Sequence, residues 1–294
     1  FFDSAAYSIY AREDRYMTEY GTTKLSELEY FPCSCPVCIK NDPDSVMAIP
    51  KVERQAMLAK HNLHVSFSEL RRIKQAIMEG RLWEHLELRA HGHPALLQAL
   101  KKLGKHGEYL EKQSPVTKKS GLFFFSSLGL ARPEVVRHRI RIFERYSPPG
   151  KAKILVLLPQ TRTKPFHKSK EHQRVLKEIQ QRIGTEADKV HVCTYAAPFG
   201  IIPMELDEVY PLSQYEIATP FDAETITYVA KQVANYIERT GYEKVILLQE
   251  AENWKGKIVA ACRRACKKKK IPLTVIRGKN HGTKLRKLAW SSVK

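Results

Sequence analysis

At 294 residues, with a hydrophobic fraction of 43%, the chain is long and apolar enough for two domains with cores of their own. Its 50 Lys and Arg against 31 Asp and Glu leave a formal net charge of +19, which draws it to polyanions, nucleic acid above all. A membrane role is set aside, because no apolar run approaches the ~20 residues that a spanning helix needs.

The chain opens on Phe1-Phe2-Asp3-Ser4-Ala5-Ala6, an apolar pair running into a carboxylate, the pattern of a buried strand at its end. That opening predicts the C-terminal part of something longer, or else a subunit split at this point. A residue just past the C-terminal end of a (β/α) barrel strand faces the active site. A carboxylate there can act as a nucleophile on a sugar carbon, whereas an N-cap or turn is the plainer use of Asp3. Arg12 and Arg15 follow, placed either to contact phosphate or ribose or to pair with Glu13 or Asp14. The opening residues lack the basic and apolar regions of a secretory signal. The six Cys therefore point to thiolate–metal chemistry in a reducing compartment, and a cytoplasmic location is expected.

Cys33, Cys35 and Cys38 fall together beside Pro32 and Pro36, and His61 comes one helix-length later. Three soft thiolates and one imidazole complete a closed tetrahedral shell for one Zn2+. Such a shell keeps no open position for water, so the zinc is expected to be structural and to pin residues 31–39 onto the helix that bears His61. Ligation needs ionised thiolates and a neutral imidazole, so assembly is expected to fail in acid.

Helical periodicity follows over 47–62 and again over 65–80, where Leu70, Ile73 and Ile77 share a face. It continues over 83–103, broken at His91-Gly92-His93-Pro94. Turn signals at Ser114-Pro115, Gly121 and Pro148-Pro149-Gly150 mark residues 121–150 as a linker, within which Pro133 opens a short basic helix. From 151 onward, continuous apolar runs at 154–158, 190–195, 245–248 and 273–276 alternate with helical stretches at 169–183, 225–240 and 254–268. Strands that alternate with helices predict a mostly parallel sheet. Cys262 and Cys266, one turn apart with no further ligand nearby, are read as core or helix-face residues. Lys267 to Lys270, with Arg277, Lys279, Lys284, Arg286 and Lys287, form a basic C-terminal region that can follow RNA phosphates.

After the first strand of this second part comes Pro159-Gln160-Thr161-Arg162-Thr163-Lys164-Pro165-Phe166-His167-Lys168-Ser169-Lys170-Glu171-His172. Loops that leave a parallel strand are where α/β proteins bind ligands. Lys164, Ser169 and His172 are candidates for an anion or a polar base, although Ser169 is equally suited to capping the following helix.

Phe2-Asp3-Ser4-Ala5-Ala6-Tyr7, the run from Tyr10 to Thr18, the run from Tyr30 to Cys38 and His61-Asn62-Leu63 together resemble the archaeal tRNA-guanine transglycosylase family. The resemblance covers roughly residues 1–105 and implies the C-terminal part of a zinc-containing (β/α)8 barrel. The family exchanges guanine in the tRNA D-arm for preQ0, a step toward archaeosine. The resemblance implies that Asp3 is the nucleophile at the ribose C1′ and that Cys33, Cys35, Cys38 and His61 hold the zinc. It also implies tRNA as partner, guanine and preQ0 as small substrates, and a homodimer or pairing with an upstream barrel half. The second acid–base Asp and the base-recognition residues are expected before residue 1, so that this chain by itself holds an incomplete active site.

The loop at 159–172, with the runs 198–206 and 210–215, is similar to the archaeosine synthase core domain, whose loop reads Pro-Cys-x3-Lys-Pro-Tyr-x2-Ser-x2-His. Pro159, Lys164, Pro165, Ser169 and His172 match, but Gln160 replaces the Cys and Phe166 the Tyr, which removes the loop's strongest nucleophile. The expected organisation is thus a barrel part at 1–120, a linker at 121–150 and an α/β accessory domain with a mostly parallel sheet at 151–294. The alternatives to a transglycosylase are a synthase-like modification of preQ0 in tRNA and a non-catalytic zinc-stabilised tRNA-binding subunit.

Overall fold

Residues 5–250 and 253–277 are described in a computed structural model, and the chain divides into two units, Phe1–Leu100 and Lys101–Lys294. Asp3 and the basic residues beyond Arg277 lie outside the described residues.

The first unit begins with α1 (Ala6–Arg12) and an antiparallel hairpin, β1 (Arg15–Thr18) and β2 (Gly21–Lys24), in which Arg15 faces Lys24 and Thr18 faces Gly21. α2 (Pro43–Ala48) starts at a capping box: the Asp42 carboxylate accepts the Ser45 N–H, and Pro43 fills the first turn. α3 (Lys51–Glu79) follows Pro50 and runs for 29 residues to Gly80, which takes a left-handed φ of 74° that closes the helix. The two helices expected at 47–62 and 65–80 are therefore mostly one. No Gly or Pro falls between Asn62 and Val65, and the Asn62 side chain is engaged elsewhere rather than competing with its own backbone. α4 (Leu82–Ala90) and α5 (Pro94–Leu103) continue, separated at His91–His93 where the break was expected. The core comprises Ala11, Tyr16, Leu25, Val37, Val46 and Leu58, with Cys35 and Cys38 among them. Among the described residues of this unit, β1 and β2 are the strands, so the barrel itself is not displayed there.

In the second unit, α6 (Gly107–Lys112) packs on α7 (Pro133–Glu144), with β3 (Leu122–Phe124) between them in sequence. Residues 121–150 are thus no bare linker. β3 pairs in parallel with β7 (Tyr215–Ile217), and α7 buries Val135, Val136 and Ile142. Residues 104–112 also belong to this unit rather than to the first, because Gly104 and Gly107 let the chain approach closely. A Cβ at Gly104 would stand 2.8 Å from the Ala131 Cβ.

The main sheet has β4 (Ile154–Pro159), β5 (Val190–Ala196), β6 (Gly200–Pro203), β8 (Lys244–Gln249) and β9 (Leu273–Arg277) in the order β6-β5-β4-β8-β9. β4, β5, β8 and β9 are parallel, and β6 runs antiparallel on the β5 edge. The helices are α8 (Lys170–Ile183), α9 (Ala223–Arg239) and α10 (Lys257–Lys269). Alternation along β4 explains its continuous apolar run. Ile154, Val156 and Leu158 meet Val175 and Ile179 of α8, while Leu155 and Leu157 meet Val229, Val233 and Cys262 of α9 and α10. Each such side chain contributes about 1.5–3 kcal/mol by leaving water. Cys193, Cys262 and Cys266 are core residues, each at most 2% exposed. Among the described residues, no helix is long and apolar enough to cross a membrane.

Candidate functional site

Cys33, Cys35, Cys38 and His61 converge so that one ligand atom from each lies within 4.8 Å of all the others. The Sγ atoms of Cys35 and Cys38 are 3.5 Å apart, and both stand 3.3–3.4 Å from His61 Nδ1. Those separations are a few tenths of an ångström inside the edges of a tetrahedron about one ion, ~3.8 Å between sulfurs at metal–sulfur bonds of ~2.3 Å and ~3.6 Å from sulfur to nitrogen. Two elements build the site. The cysteines sit on a turn that the Cys35 carbonyl closes by accepting the Ile39 N–H, and His61 lies on the inner face of α3.

The surroundings set the chemical state of each ligand. His61 Nε2–H donates to the Met17 carbonyl at 2.9 Å, which leaves Nδ1 unprotonated toward the sulfurs. Burial lowers the His61 pKa, so the ring is neutral near pH 7, as a ligand must be. Burial also pushes the Cys38 thiol up to about 12, despite the Tyr16 hydroxyl 3.5 Å away, and raises Cys33 as well. Thiolates crowded in a buried site are costly, and a bound cation is what compensates them. The donor set therefore fits one metal ion. The Tyr16 ring stacks on His61 at 3.8 Å and on Phe31 at 5.2 Å, fixing the imidazole plane between aromatic and sulfur neighbours.

Asn62, next to His61, is completely buried and ties α1 and β1 to α3 through three backbone groups. Its Nδ2 donates to the carbonyls of Tyr7 and Arg15, both at 3.1 Å, and its Oδ1 accepts the Met17 N–H at 2.9 Å. As a positioning residue it escaped the reading of spacing, because its partners lie 45 to 55 residues away.

The arginines divide. Arg15 Nε donates to Thr22 Oγ1 at 3.0 Å across the hairpin, while Arg12 is exposed at the end of α1. Neither takes Asp14, which instead forms a two-pronged pair with Arg54 at 2.9 and 3.0 Å.

In the second unit the structure separates the three candidate residues of the 159–172 loop. Ser169 is buried and caps α8, its Oγ accepting the His172 N–H. His172 is buried too, donating from Nε2 to the Pro159 carbonyl at 2.8 Å, and burial lowers its pKa. Both residues hold the loop in shape. Lys164 alone of the three lines a cavity of about 690 Å³, with its Nζ 4.4 Å over the Tyr215 ring. Burial lowers the Lys164 pKa, against the pull of Glu216. Gln160, the residue that departs from the loop this segment resembles, lies on the same wall, and its Oε1 accepts the Ala197 N–H at 2.6 Å.

Two family models match the chain. The one described as Queuine tRNA-ribosyltransferase matches residues 1–95, and the one described as Domain of unknown function (DUF5591) matches residues 135–289. Among curated relatives, the tRNA-guanine(15) transglycosylase of Methanobrevibacter smithii is 40% identical over 249 residues, covering 84% of this chain and 36% of its own length. That of Methanocaldococcus jannaschii is 44% identical over 76% of this chain and 32% of its own. That of Saccharolobus solfataricus is 39% identical over 84% of this chain and 48% of its own. The chain thus spans about a third to a half of the length of the curated relatives it matches. With a match over more than half its residues the chain belongs to the DUF5591 family; its first 95 residues match the Queuine tRNA-ribosyltransferase model, and across both stretches it is similar to the archaeal tRNA-guanine(15) transglycosylases.

Proposed function

We propose that the chain is the C-terminal part of a tRNA-guanine transglycosylase that exchanges guanine for preQ0 in the D-arm of tRNA. The observation that carries this reading is the Cys33, Cys35, Cys38 and His61 centre, set within the segment that matches the Queuine tRNA-ribosyltransferase family. Zinc is the ion that the three-sulfur, one-nitrogen tetrahedron selects. When bound, it supplies a cross-link between residues 33–38 and α3 and leaves no coordination position for substrate.

The chemistry is assigned to Asp3. Its carboxylate attacks the ribose C1′ as the bond from C1′ to the guanine nitrogen breaks, giving a glycosyl ester. The incoming base then attacks the same carbon and releases the carboxylate, so configuration is retained over two displacements. The departing guanine gains a proton and the incoming base loses one. The resemblance assigns that exchange to a second Asp expected before residue 1. The target base has to leave its stack to be reached. Arg12, exposed at the end of α1, is the better placed of the two arginines for an RNA phosphate, because Arg15 is committed to the hairpin.

The test is base exchange. The chain is produced alone and joined behind the N-terminal part of one of its relatives, with unmodified tRNA and labelled guanine or preQ0. Incorporation by the joined protein that disappears in Asp3→Ala supports the reading. If the joined protein binds tRNA and holds its metal but exchanges nothing, the non-catalytic tRNA-binding alternative replaces it. Pairing of copies through the metal-bearing unit is checked separately by sedimentation.

A further inference from the structure

The cavity in the second unit lies where the sheet changes direction. β4 passes through α8 to β5 on one side, and β8 passes through α10 to β9 on the other, so the segments that leave these two adjacent strands part at their carboxyl ends. An open α/β sheet binds ligands in the crevice formed at such a point. Here the crevice is real: about 690 Å³, bounded by Gln160 and Arg162 after β4 and by Glu250 and Trp254 after β8. β3 and β7 form its far wall, from which Tyr215 meets Lys164.

The lining has three kinds of chemistry. Trp254, Tyr215, Phe221 and Phe123 give it aromatic walls, and Trp254 is held by Phe221 at 5.0 Å and by Tyr195 at 5.3 Å. Lys164 and Arg162 place two cations on the loop that follows β4. Glu216 and Glu250 supply carboxylates, which accept hydrogen bonds and donate none when ionised; that of Glu250 also accepts the Asn253 N–H at 3.2 Å, which leaves lone pairs for a second donor. The Gln160 oxygen is taken by Ala197, so its remaining polar group is an amide NH2, a donor. The Tyr215 hydroxyl is buried without a hydrogen-bond partner among the described residues, so this wall also holds an unused polar atom.

We propose that this cavity seats a single guanine-type nucleotide, apart from any base exchanged at Asp3. Aromatic walls hold a flat ring, as in the recognition of unstacked bases. A carboxylate matches the adjacent N–H and NH2 donors of a guanine edge, whereas adenine offers it a ring acceptor beside its amino group. The Gln160 amide suits the guanine carbonyl, and Lys164 with Arg162 faces the phosphate. The nucleotide is either free or one unpaired residue of an RNA strand, since both present the same groups. The proposal stands on the second unit alone and fails independently of the transglycosylase reading.

The experiment titrates the full chain, as purified with its metal, with GMP, guanosine, AMP and CMP, followed by calorimetry and by tryptophan fluorescence. GMP is expected to bind saturably, with AMP and CMP about tenfold or more weaker. Lys164→Met keeps an apolar stem on Tyr215 and is expected to weaken GMP about tenfold while leaving guanosine unchanged. Glu250→Gln is expected to weaken GMP and guanosine alike. Thermal melting and metal content show that each variant is folded, and Trp254→Phe is expected to remove most of the fluorescence response while calorimetric binding persists. A short single-stranded RNA with one guanosine that displaces GMP more strongly than an all-pyrimidine strand identifies RNA as the source. No such displacement identifies the free nucleotide. Absence of saturable GMP binding overturns the proposal. Equal affinity for all three nucleotides, unmoved by Lys164→Met and Glu250→Gln, also overturns it and assigns the binding to the basic surface.

Discussion

His61 and Asn62 are neighbours in sequence but were not equally visible in it. The candidate metal ligands declare themselves, because three Cys so close together with a later His have few uses other than a metal site. Asn62 in mid-helix reads only as a weak helix former, and its tertiary role depends on backbone groups far away in the chain. Asn62→Ala leaves two half-buried carbonyls and one N–H without their partner. It is expected to cost about 3 kcal/mol, measured by urea unfolding of the metal-loaded protein. Cys35→Ser or Cys38→Ser is expected to abolish stoichiometric zinc, measured by elemental analysis, and to lower the melting temperature of the first unit while the sheet unit is unmoved. Ser169 and His172 carry the opposite lesson. Their types suggested a ligand, but the fold uses both to shape the loop that presents Lys164.

Among the elements, the buried strands β4 and β8 were legible because a strand covered on both faces is apolar at every position. β6 was not, because the four residues Gly200–Pro203 show no period and pair with the edge of β5. β3 and β7 are shorter still, and without them residues 121–150 look like a linker. α7 is anchored by His138, whose Nε2–H donates to the Ile201 carbonyl of β6 at 2.8 Å and whose ring meets Phe199 edge-on. Burial holds the His138 pKa down to about 4. The unfolded chain therefore takes up the proton first as pH falls. The contribution is present above about pH 6.5 and is lost progressively toward pH 4, on the order of 3 kcal/mol in all. His138→Gln is expected to flatten the stability of the second unit over that window, read from denaturant midpoints at several pH values.

For the molecule as a whole, the net charge of +19 is the property most directly written in the composition. If the proposed function holds, affinity for tRNA is expected to fall ~10³-fold or more between about 50 and 200 mM salt, as counterions released from the phosphates reclaim their places. Filter binding across that range measures it, and a flat response would assign recognition to shape rather than charge. The division into units was harder to place. The boundary falls after Leu100 instead of 120, because Gly104 and Gly107 admit the following segment to the second unit.

The clip formed by Cys33, Cys35, Cys38 and His61 joins residues distant in sequence through an ion that the cell must supply. The second unit, held by its sheet and helices, owes nothing to that supply. Without a bound ion the polypeptide would therefore keep an intact sheet unit while the segment from Phe31 to Asp42 slackens against α3 and opens to proteases.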